Sequence, residues 1–102
     1  MAEVNLILVG VNHKTTPVEI REKLAFTKGK IEESVNHLFN FPDIIEHTIL
    51  STCNRVEIYA RANSQDSAIK SIKQFICDFH QLSLVELEDH FYSYRNKEAV
   101  EH

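Results

Sequence analysis

Apolar residues follow different rhythms in different parts of this chain, and each rhythm predicts an element. Leu6-Ile7-Leu8-Val9-Gly10-Val11 is an unbroken apolar run, the pattern of a buried strand. Thr16-Pro17-Val18-Glu19 then predicts a helix start, with Thr16 as N-cap, Pro17 at the first helical position and Glu19 closing a capping box; this helix runs to about Leu24. From Lys28 to Phe39 the apolar positions are Ile31, Val35, Leu38 and Phe39, one stripe of an amphipathic helix, ended by Asn40-Phe41-Pro42-Asp43. Glu46–Leu50 and Val56–Ala60 predict two strands. In the second, Val56, Ile58 and Ala60 face one side while Glu57, Tyr59 and Arg61 face the other.

The helical rhythm returns after a loop at Asn63-Ser64-Gln65-Asp66. From about Ser67 to His80 it carries Ile69, Ile72, Ile76 and Phe79, with Phe75 beside the stripe and Cys77 off it. Leu82–Asp89 reads as a short helix or a turn. Phe91–Tyr94 reads as a last strand, and Asn96 caps a new helical pattern from Lys97 to His102. The order predicts an α+β fold: a ferredoxin-like split βαβ, with a four-stranded antiparallel sheet and helices on one face. Such a fold hosts many chemistries, so function has to be read from particular residues. Residues 1–95 read as one domain. Residues 96–102 read as the truncated start of a further helix, because an isolated helix shorter than about 12–15 residues is marginal.

Composition narrows the field. At 102 residues there is room for a single core, and the apolar and charged shares are those of an ordinary globular domain. No apolar stretch is long enough for a membrane helix, and the N-terminus lacks the basic start of a signal peptide. Two unpaired cysteines point to a reducing, cytoplasmic setting, and no zinc spacing occurs. The net charge of −4 weakens the case for a dedicated nucleic-acid module. Only Gly10 and Gly29 are glycines, so no dinucleotide-binding loop is present.

The candidate chemistry lies between the two middle strands, in Ser51-Thr52-Cys53-Asn54-Arg55. A thiol beside a cation is a potential nucleophile, and an arginine presents a fork of donors suited to a carboxylate. The pair points to attack on an acyl group of an acidic substrate. The alternative is a binding or regulatory domain in which Cys53 is a small apolar filler. Among the histidines, His37 and His80 read as solvent-facing. His102 is a partner for Cys53 only if the terminal helix folds back; otherwise it is a solvated helix residue. His13-Lys14-Thr15-Thr16, at a strand end, reads either as a site lining or as an ordinary turn. Cys77 reads as a bystander.

Three segments together resemble the N-terminal part of the glutamyl-tRNA reductase family: Gly10–Glu22, Ser51–Glu57 and Glu98–His102, so that the likeness runs from about Leu6 to His102. The resemblance implies an NADPH-dependent oxidoreductase that reduces glutamyl-tRNA to glutamate-1-semialdehyde, the first step of tetrapyrrole synthesis by the five-carbon route. It places the nucleophile on Cys53, which takes the glutamyl group as a thioester, and the substrate-binding stretch on Thr52, Cys53, Asn54 and Arg55. It places the activity-linked histidine on His102. It implies an NADPH-binding domain and a dimerisation region, neither present in this chain, a homodimeric full-length protein, and contact with glutamate-1-semialdehyde aminomutase.

Overall fold

The computed structural model describes residues 5–38, 41, 44–52 and 54–101, with the backbone alone at 28 and 35–38. The continuous apolar run becomes β1 (Leu6–Asn12), followed by α1 (Val18–Leu24) and α2 (Lys28–Leu38). The middle strands are β2 (Ile44–Ser51) and β3 (Arg55–Ala62). After them come α3 (Gln65–Phe79), α4 (Leu84–Leu87), a 3-10 turn at Glu88–His90, β4 (Tyr92–Arg95) and α5 (Lys97–Glu101). The strands lie in the order β2-β3-β1-β4, every neighbour antiparallel. The chain from β1 to β2 steps over β3, and the chain from β3 to β4 steps over β1. These are the two interleaved βαβ units that the sequence predicts.

The alternation in β3 sorts the two faces of the sheet. Val56, Ile58, Ala60 and Ala62 join Ile7, Val9 and Val11 of β1 against Ala68, Ile69, Ile72, Phe75 and Ile76 of α3, with Leu24 and Phe26 closing the same core. Directly paired residues of an antiparallel sheet share a face. On the opposite face Leu8 therefore lies between its partners Tyr59 and Tyr94, and it is fully buried although it is not part of the helix-side core.

Several predictions need correction. Thr16 does not cap α1. Pro17 holds the N-cap position, and the buried Thr16 hydroxyl bonds instead to Thr15 Oγ1 at 2.9 Å and to the His90 carbonyl at 3.4 Å. β2 begins at Ile44, with a register shift before Glu46. α3 begins at Gln65, whose carboxamide donates to the Leu6 carbonyl and to Asn96 Oδ1. Asn96 lies at φ 52°, and its side chain serves Leu6 and Gln65 at the sheet edge, not the helix that follows. Cys77 is not off the packed face: it is fully buried, because α3 is covered over an arc wider than one stripe.

His80 is not solvent-facing. It is half-buried, with Nδ1 2.7 Å from the Ile76 carbonyl and Nε2 3.1 Å from the Ala25 carbonyl. Its ring lies edge-on to Phe26 and Phe79, with centroids 4.6 and 5.4 Å away. The predicted helix terminator at Asn40, Pro42 and Asp43, the helix residue Phe39 and the side chain of His37 lie outside the described residues.

Candidate active site

Two turns meet at one end of the sheet because Asn12, the last residue of β1, pairs with Arg55, the first of β3. Asn12 shapes its own turn: Oδ1 accepts the Lys14 and Thr15 N–H groups at 2.9 and 3.1 Å. Asparagine does this because its short side chain stands in for a backbone carbonyl. The turn is held from the far side, where His90 Nδ1 bonds the Thr15 carbonyl at 3.0 Å. Across the pocket Thr52 shapes the β2–β3 turn in a similar way. Its hydroxyl accepts the Asn54 and Arg55 N–H groups, both at 3.2 Å, while its own N–H donates to the Arg55 carbonyl at 2.8 Å. Arg21 of α1 braces that turn through Nη1 to the Asn54 carbonyl at 3.4 Å.

Between the turns lies a pocket of about 460 Å³, lined by Asn12, His13, Lys14, Thr52, Asn54 and Arg55. Two of these carry full positive charge, so the hollow favours an anionic group. The Arg55 side chain is 43% exposed, and its Nε lies 3.5 Å from Oε1 of Glu57, which is fully buried. Glu57 in turn accepts the Tyr92 hydroxyl on Oε2 and the Tyr59 hydroxyl on Oε1. Burial, then the hydrogen bond to Glu57 and its negative charge, push the Tyr92 phenol well above its ordinary range. A second hollow of about 410 Å³ lies at the opposite end of the sheet, against Glu46, His47, Tyr59 and Arg61. Among the described residues no thiol lines it, and Glu46 pairs with Arg61 across it at 3.6 Å. The Asn12–Arg55 pocket is the better candidate.

The predicted site residues Thr52, Asn54 and Arg55 come together here, and His13 and Lys14 line the same pocket. Cys53 and His102 lie outside the described residues. The other thiol, Cys77, is remote from this chemistry by environment. Burial, with Asp78 and Glu88 nearby, raises its pKa from the ordinary 9.0 to about 11. Sequence reading missed Asn12 and Arg21 as builders of the pocket, and Glu57 and Tyr92 as the residues behind Arg55. One signal was available: a glycine, Gly10, in the middle of an apolar strand. Among the described residues no cluster of His, Cys, Asp or Glu could hold a metal, and no helix is long and apolar enough to cross a membrane. The glycines do not fit a dinucleotide either. Gly10 is packed against Val56 and Glu57, and Gly29 lies within α2.

A family model described as "Glutamyl-tRNAGlu reductase, N-terminal domain" matches residues 9–102. The glutamyl-tRNA reductase of Geotalea uraniireducens (strain Rf4) is 47% identical over 96% of this chain and 23% of its own length. That of Prochlorococcus marinus (strain MIT 9211) is 45% identical over 96% of this chain and 22% of its own. The solved glutamyl-tRNA reductase from Methanopyrus kandleri superposes with a TM-score of 0.61 at 27% identity, covering 95% of this chain and 20% of that one. The chain thus spans less than a quarter of the length of the relatives it matches.

Proposed function

The chain belongs to the glutamyl-tRNA reductase N-terminal domain family, and from that premise we propose that it carries the acyl-transfer half of this reaction. The observation that carries the proposal is the cationic pocket between the Asn12 and Thr52 turns, lined by Thr52, Asn54 and Arg55, the residues that flank Cys53 in the sequence. In this reading the Cys53 thiolate attacks the ester carbonyl of glutamyl-tRNA. A C–S bond forms, the C–O bond to the terminal ribose breaks, and the leaving oxygen takes a proton. His102 is the proposed helper for that proton or for holding the substrate. Arg55 receives the side-chain carboxylate, and Asn54 and the Thr52 turn bound the same space. A site built around a fixed guanidinium rejects uncharged analogues, because its charge is then left without a partner.

Bound NADPH would supply hydride chemistry for the second half of the reaction, and we assign its binding to the part of the longer relatives outside these 102 residues. The same division applies to dimerisation and to contact with the aminomutase, in a cytoplasmic protein. Residues 1–95 are the proposed catalytic domain, with 96–102 leading into the next helix.

Mass spectrometry of the chain after exposure to glutamyl-tRNA tests this. A glutamyl adduct on Cys53 is expected, absent in Cys53→Ser and strongly reduced in Arg55→Gln. Glutamyl-tRNA that stays charged at the background rate, with no adduct in the unaltered chain, defeats the reading.

A further inference from the structure

The Arg55 wall of the pocket has a built layer behind it. Glu57, Gly10 and Tyr92 occupy one row across three adjacent strands. Gly10 leaves room in the centre of that row for the Glu57 side chain: a Cβ there would stand 2.8 Å from Glu57 Cγ and 2.4 Å from the Val56 carbonyl oxygen. Over this glycine the Tyr92 hydroxyl donates to Glu57 Oε2. The Glu57 side chain is fully buried, a position a carboxylate holds only with partners of this kind. Its Oε1 faces Nε of Arg55. With Nε so engaged, the two terminal nitrogens of the guanidinium have no partner among the described residues. Two nitrogens of one guanidinium edge match the two oxygens of a carboxylate, but only if the plane is fixed.

We propose that Tyr92 is a positioning residue for recognition of the substrate carboxylate: it holds Glu57 across Gly10, and Glu57 sets the plane of the Arg55 guanidinium. The inference rests on the reading of Arg55 as the clamp for the glutamyl side chain. Tyr92 acts from below and touches no substrate. Its phenol stays protonated throughout the neutral range, so it remains a donor.

Tyr92→Phe keeps the ring and removes the donor. The first readout is acyl transfer from glutamyl-tRNA against the same tRNA charged with glutamine, whose side chain is neutral. The preference for the glutamyl form is expected to fall roughly tenfold, the weight of one hydrogen bond to a charged group, with the glutaminyl rate unchanged. A purely structural role would lower both rates together, and that result, like an unchanged preference, overturns the proposal. The second readout needs no substrate. Hydrogen exchange of the Arg55 Nε–H, followed by 15N NMR, is expected to be slow in the unaltered chain and several-fold faster in Tyr92→Phe. If the unaltered chain transfers neither group, the clamp reading itself fails. Exchange then decides alone: an unchanged rate overturns the ordering of Arg55 by Tyr92, and a faster one sustains it.

Discussion

Cys77 shows how far its surroundings can silence a thiol. Cys77 sits inside the α3 core with its thiol fully buried and its pKa raised to about 11, so almost none of it is thiolate at neutral pH. Iodoacetamide at pH 7.5 is therefore expected to label Cys53 and to leave Cys77 intact until denaturant is added. Peptide mapping reads this directly, and equal labelling of both in the folded chain would contradict the burial of Cys77. At this scale the sequence was readable wherever a site is contiguous: Thr52, Asn54 and Arg55 stand together in the chain and line one pocket. Glu57 and Tyr92 were not readable, being 35 positions apart and brought together only by the register of three strands.

Single elements carry predictions of a different kind, because here the cost falls on packing. A methyl group at Gly10 would meet the Val56 carbonyl oxygen at 2.4 Å, and backbone cannot swing away as a long side chain can. Gly10→Ala is expected to destabilise by about 1–3 kcal/mol, measured by urea unfolding. A cost near zero would mean that β1 and β3 separate easily. His80 ties the end of α3 to the segment between α1 and α2 through the Ile76 and Ala25 carbonyls, between two phenylalanine rings. His80→Ala is expected to cost about 2–4 kcal/mol from lost bonds and lost packing together. His80→Phe should recover the packing share alone, and equal losses in both variants would show that the ring contributes nothing. The helices themselves were legible from their apolar periods. Their ends were not, because Thr16, Asn96 and Gln65 spend their polar groups on distant strands and turns in preference to local caps.

For the whole molecule, titration of the buried groups sets a pH window of stability. His47 on β2 is half-buried, and burial lowers its pKa from 6.5. A depressed folded value means that the unfolded chain binds the proton more readily. The His47 contribution is thus present above pH 6.5 and is lost as pH falls below it, through the folded value. Cys77 has the opposite sign. Its pKa rises from 9.0 to about 11, so the unfolded chain releases the proton first, and its contribution is full below pH 9.0 and lost as pH climbs to about 11. Tyr92 and Tyr59, both raised from 10.0, add to the alkaline loss with the same sign. Stability should therefore form a plateau between about pH 6.5 and 9 and decline on both sides. Urea midpoints measured across that range give the curve. Cys77→Ala should flatten its alkaline arm in part, leaving the tyrosine share, and His47→Gln should flatten part of the acid arm. A midpoint that keeps rising from pH 9 to 10.5 in the unaltered chain would show that the Cys77 thiol is not sealed from water by the sheet and α3, and that Glu57 does not hold the phenols protonated.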